Sequence, residues 1–263
     1  MIHITSAELL TWISAFLWPL TRILGVLAVA PLFGNVSVPA RVKIMLGVLL
    51  AMIIAPGVPE VPALDPMSLS GFLILVQQLV IGLAMGFAMR VTLAGVEMAG
   101  AIAGMTMSFG FASFFDPQTR AQTSAISQFL ALLTLMIYLA TNLHLVVLST
   151  LAQSFDLLPI SSGFVSNAGF FQVASWGGRI FSAGVQLSLP IVAALLITNA
   201  ALGILTRASP QLNIFGIGFP ITIGVGFLMI GAVLPYLTNP LINLLQEGIT
   251  AMGRITVAFM PLN

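Results

Sequence analysis

No Asp, Glu, Lys or Arg occurs from Ala121 to Phe155, from Ile180 to Thr206, or from Ala208 to Gln246. Each run exceeds the roughly 20 residues with which a helix crosses the bilayer core. Such a chain has no charged coat with which to meet water. Charged residues make up 6% of the sequence and hydrophobic residues 59%, against about a quarter charged in soluble domains. The apolar side chains therefore face lipid or other protein. The implied fold class is an all-α, polytopic membrane protein.

Six regions qualify as spans: 9–33, 42–58, 71–96, 126–151, 180–206 and 211–245. The first is irregular, because Arg22 lies mid-segment between Pro19 and Pro31. An Arg there costs about 2.5–3.5 kcal/mol on insertion scales. The last is longer than one span needs and holds Pro220, Pro235 and Pro240, so a kink or break is expected. With the N-terminus outside, the inner loops carry Arg41, Lys43, Arg90, Arg120 and Arg207. The outer segments carry Arg179 and Arg254. That asymmetry fits the positive-inside rule and places both termini outside if all six regions span. A secretory signal begins with a basic stretch, whereas the first basic residue here is Arg22, so the N-terminal segment is expected to be a retained span. Residues 57–70 form a Pro-rich acidic connection. Residues 156–179 mix Phe, Trp and polar residues, which suits a membrane interface.

Several function classes drop out. A net charge of +1 leaves no electrostatic footprint for nucleic acid. There is no cysteine, hence no thiolate metal site. His3 and His144 are far apart in sequence and lack neighbouring carboxylates, so no metal site is expected. Phosphate-loop, zinc-protease and nucleophile-elbow motifs are absent. Neither an enzyme nor a cofactor is expected.

Four features carry the remaining interest. Gly82 and Gly86, then Gly100 and Gly104, have the spacing that lets helices approach closely. Next comes a segment crowded with Met105, Met107, Phe109, Phe111, Phe114 and Phe115, closed by Asp116 and Pro117. Flexible Met and bulky Phe among Gly and Ser suit a loop buried between helices, with a deformable pore plug as the sharper alternative. Arg90 and Glu97 are seven residues apart. On a helix they share nearly one face, roughly 10 Å apart along the axis. They read either as an ion relay in a transporter or as interface residues with a snorkelling Arg. At 203–220, Arg207 ends an apolar run and Ser209–Pro210 signals a turn.

These stretches together resemble the FliR family of type III secretion export-gate proteins. The resemblance spans nearly the whole chain. It includes Arg22, Ala30-Pro31-Leu32-Phe33-Gly34 and Val38-Pro39-Ala40-Arg41-Val42-Lys43. It continues through Gly86-Phe87 with Arg90, Glu97 to Gly104, and Asp116-Pro117-Gln118-Thr119. It ends with Arg207-Ala208-Ser209-Pro210-Gln211-Leu212-Asn213 and Gly218-Phe219-Pro220.

The resemblance implies a hetero-oligomeric export gate in the bacterial inner membrane, at the flagellar basal body. The expected partners are FliP-like and FliQ-like subunits, an FlhB-like protein, membrane lipid and unfolded export substrates. It implies a FliP-like part over about 1–175 and a FliQ-like part over about 176–263, with kinked and broken helices packed into a helical assembly. It also implies that Met105–Pro117 plugs the closed pore. Arg22, Arg90, Glu97 and Arg207 are then expected at charged interfaces, with Arg22 tolerated because its segment meets neighbouring subunits. The rival reading is a stand-alone secondary transporter coupled through Arg90 and Glu97. Such folds usually carry internal repeats, and none is obvious here.

Overall fold

The computed structural model describes residues 6–59, 61–108, 124–163, 165–209 and 214–261. Every regular element among them is helical. In chain order they are α1 (Ser6–Val29), α2 (Ala40–Ile54), a 3-10 turn (Ala55–Gly57), α3 (Leu69–Thr106), α4 (Ala125–Ala140), α5 (Leu143–Leu157), α6 (Asn167–Gly177), α7 (Arg179–Ala208) and α8 (Ile214–Ala258). Five stretches are long and apolar enough to cross a membrane: Leu10–Val29, Ala40–Gly57, Leu69–Thr106, Asn167–Ala208 and Gly218–Ala258. A sixth candidate is the broken pair α4 and α5. The chain is thus an all-α polytopic membrane protein.

Local chemistry sets the boundaries. α1 stops short of Pro31, whose ring disfavours helical geometry at the preceding residue. Pro39 stands extended at the start of α2, with ψ 142°. Before α3, Asp65 Oδ1 accepts from the Met67 N–H at 2.9 Å, and Ser68 Oγ accepts from the Gly71 N–H at 3.1 Å. The acidic connection is therefore also the entry cap of α3. Ser124 caps α4, its Oγ accepting from the Ile126 N–H at 3.3 Å.

Three elements differ from the sequence expectation. α3 continues past residue 96 through the Gly-rich stretch to Thr106. The expected fourth span divides at Thr141–Asn142, where Asn142 is left-handed with φ 57°. α8 is not broken at its prolines: it runs through Pro220, Pro235 and Pro240 as a 45-residue helix. A proline in a helix removes one intrahelical hydrogen bond and crowds one carbonyl, and the uninterrupted apolar residues on either side keep the helical register.

The chain forms two compact units, interleaved along the sequence. Unit 1 comprises Met1–Val91, Asn142–Gly177 and Gln246–Asn263. Unit 2 comprises Thr92–Thr141 and Gly178–Leu245.

In unit 1, α1 and α3 meet backbone to backbone. A Cβ on Gly25 would lie 2.9 Å from the Leu79 carbonyl oxygen and 3.0 Å from Gly82 Cα. A Cβ on Gly82 would run into the Arg22 carbonyl oxygen, and one on Gly86 would stand 2.8 Å from that of Val26. Only hydrogen side chains permit this approach. α2 buries just Gly47 and Ala51, while Met45, Met52 and Ile53 are exposed.

Arg22 is fully buried in unit 1. Its Nε donates to Gln78 Oε1 at 2.7 Å, and Nη1 donates to the Ser154 carbonyl at 2.9 Å and to Ser154 Oγ at 3.2 Å. Nη2 donates to the Leu158 carbonyl at 2.9 Å. The guanidinium also lies over Phe155, with Cζ 4.3 Å from the ring centroid. Hydrogen bonds from a charged donor contribute about 1.5–3 kcal/mol each. This set offsets the insertion penalty without any carboxylate. Neighbouring subunits are therefore not needed to account for Arg22.

In unit 2, the core joins Val96 and Ala103 of α3, and Met107 just beyond its end, to Ile126 and Leu130 of α4, Leu195 of α7 and Leu241 of α8.

Candidate functional site

The C-terminal end of α3 lies flush on the start of α4, both within unit 2. Gly100 faces α4 so closely that a Cβ would meet the Ser127 backbone. One turn later, a Cβ on Gly104 would meet Ser124 Oγ, the same oxygen that caps α4. A larger residue at Gly104 would therefore compete with the cap itself. The Gly100-x-x-x-Gly104 spacing thus positions the residue from which α4 begins.

The end of α3 carries its own stop. Thr106 Oγ1 donates back to the Ile102 and Ala103 carbonyls at 3.0 and 2.8 Å. Ser108 then turns left-handed, with φ 65°. Its N–H donates to the Met105 carbonyl at 3.0 Å. A non-glycine residue rarely adopts this conformation. Ser108 redirects the chain as Met107 closes into the core.

Met105 and Met107 have opposite surroundings. Met107 is fully buried, whereas Met105 is 67% exposed. Met107 seats against Gly226 of α8, where an added Cβ would come within 2.5 Å of the thioether chain. Beside this contact lies an apolar cavity of about 440 Å³, lined by Ala125, Ile126 and Phe129 of α4 and by Phe227, Ile230, Gly231 and Leu234 of α8. Phe109, Phe111, Phe114, Phe115, Asp116 and Pro117 lie outside the described residues. The described residues that flank them, Met107–Ser108 and Ser124, are both held by packed helices.

The other expected site residues are more dispersed. Gly82 and Gly86 lie in unit 1 at the contact with α1 described above. On α3, Arg90 is exposed and Glu97 half-buried. Arg207 is exposed in the last turn of α7, where a cation complements the partial negative charge of the helix end. No group of three or more potential metal ligands occurs among the described residues. Sequence reasoning missed Ser124, Ser127, Gln78 and Ser154, and the pairing of Gly226 with Met107. The available signal was polarity: Gln78 and Ser154 are hydrogen-bonding side chains inside apolar runs.

Comparison with known proteins gives the chain a family. The profile of "Bacterial export proteins, family 1" matches residues 13–248. The chain is 40% identical over 235 residues to the flagellar biosynthetic protein FliR of Pectobacterium carotovorum subsp. carotovorum, covering 89% of this chain and 90% of that protein. It is 36% identical over 264 residues to the protein of the same name from Escherichia coli (strain K12), covering 97% and 100% respectively. The Bacillus subtilis (strain 168) protein of that name is 33% identical over 220 residues, covering 82% and 84%. With most of its length matched by the family profile and by these relatives, the chain belongs to the bacterial export proteins, family 1.

Proposed function

We propose that the chain is a structural and gating subunit of the bacterial type III protein export gate, serving flagellar assembly. The observation that carries this reading is the near full-length match to relatives named flagellar biosynthetic protein FliR. The site is consistent with it, since it offers packing surfaces and an apolar cavity, which suit a conduit. The gate sits in the inner membrane at the flagellar basal body. It assembles with FliP-like and FliQ-like subunits and an FlhB-like protein, and it passes unfolded subunits. Residues 1–175 supply the FliP-like part and 176–263 the FliQ-like part. The rival reading, a stand-alone transporter coupled through Arg90 and Glu97, finds no support in these relatives.

Within the gate, the stretch from Met105 to Pro117 acts as the plug. Buried Met107 anchors one end on Gly226, and Ser124 holds the other end at the head of α4. Phe109, Phe111, Phe114 and Phe115 supply the bulk between these anchors. Replacing all four by Ala is expected to leave the closed, assembled gate leaky to small ions. Membrane conductance of cells carrying the assembled variant checks this. Conductance equal to that of the parent contradicts the plug assignment.

A further inference from the structure

The guanidinium of Arg22 does more than sit buried. Two of its acceptors, the carbonyls of Ser154 and Leu158, belong to the last turn and C-cap of α5. Carbonyls at a helix C-terminus carry its partial negative charge; that of Ser154 also accepts from the Leu158 N–H at 2.9 Å, whereas that of Leu158 lies beyond the last helical residue. Arg22 therefore meets its counter-charge in a helix end. Leu158 has already left helical geometry, with φ −130° and ψ 84°. Its carbonyl direction is fixed by Arg22 Nη2. Pro159 and the buried Ile160 follow, and the chain proceeds to α6.

The rest of the fork is equally constrained. Gln78 on α3 is fully buried and accepts from Nε. Phe155 lies under the guanidinium plane. Two segments, one 56 and the other 132 to 136 residues away in sequence, thus converge on the planar cation of α1. One turn earlier on the same face of α1, buried Trp18 points its indole N–H at the Pro62 carbonyl, 3.5 Å away.

We infer that Arg22 is a positioning residue. It clamps the C-terminus of α5 and thereby sets the path of the α5–α6 connection. A lysine keeps the charge but loses the planar fork, so it cannot reach Gln78, Ser154 and Leu158 together. The same connection leads to α6, which is itself gripped at both ends within unit 1. Phe170 stacks edge-on against Phe259 with centroids 5.2 Å apart, and Trp176 Nε1 donates to the Ala88 carbonyl of α3 at 3.0 Å.

The natural absence of cysteine makes the test clean. Ser162→Cys in the exposed α5–α6 connection serves as reporter, and Val36→Cys, at a position 99% exposed between α1 and α2, serves as control. Maleimide labelling rates are measured on the full chain in native membranes. Arg22→Lys is expected to change the rate at position 162 several-fold and leave position 36 unchanged. Parent-like rates at both positions overturn the inference. So do equal changes at both, which would mean that Arg22 only supports the fold as a whole. If Arg22→Lys is not recovered from membranes, Ser154→Ala decides, since it removes one acceptor and leaves the backbone carbonyls. A smaller change confined to position 162 supports the clamp, and no change overturns it. None of these readings depends on export.

Discussion

Glycine has two distinct uses in this chain, and the surroundings of each residue separate them. At Gly82 a methyl group would collide with the Arg22 carbonyl, which is backbone and cannot step aside. Gly82→Ala is therefore expected to destabilise the solubilised chain by about 1–3 kcal/mol, the usual cost of overpacking. At Gly203 of α7 nothing lies within 4 Å of an added Cβ. Gly203→Ala is expected to stabilise by roughly 0.5–1 kcal/mol through the lower backbone entropy lost on folding. Thermal unfolding of the two variants in one detergent checks the opposite signs. The spacing of Gly82 and Gly86 was legible in the sequence, but the contrast with Gly203 was not. Both are glycines in apolar runs, and only the neighbour tells them apart. Arg22 was legible as an anomaly for the same reason that its partners were not. A lone charge stands out in an uncharged run, whereas Gln78 and Ser154 become meaningful only when the chain brings them to it.

At the scale of elements, clean charge boundaries made some helices readable. α7 occupies Arg179–Ala208, close to the expected 180–206, because Arg179 and Arg207 bracket an uncharged run. α3 outran its expected end because Glu97 and the following glycines resemble a stop. Each interior Gly costs a helix about 1 kcal/mol relative to Ala, and at Gly100 and Gly104 the close seating on α4 offsets that cost. α8 extends beyond its expected end at 245, and where a kink or break was expected at its three prolines the helix runs without a break. The division of α4 from α5 carried the faintest signal, since neither Gly nor Pro marks it. The left-handed Asn142 makes the corner instead. Asn142→Val is expected to cost about 1–2 kcal/mol, the penalty of that conformation for an ordinary side chain. Asn142→Gly is expected to be tolerated. Yield and thermal stability of the two solubilised variants check the ranking.

For the whole molecule, composition alone established a non-aqueous home and an all-helical membrane fold. The two interleaved units were not legible, because they depend on contacts such as Arg22 with Ser154, 132 residues apart. Large apolar side chains remain exposed on several helices, among them Met52 and Ile53 of α2, Ile197 and Ile204 of α7, and Leu228 and Tyr236 of α8. A gate subunit has uses for such surfaces against both lipid and neighbouring subunits, and family membership favours that reading over a self-contained transporter. The most direct measurement is affinity purification of the chain from native membranes in mild detergent, with the co-purifying proteins identified by mass. Recovery in a hetero-oligomer with other membrane subunits of the flagellar export apparatus is expected. Recovery as a monomer or homo-oligomer that takes up solute on reconstitution would contradict a role in the gate.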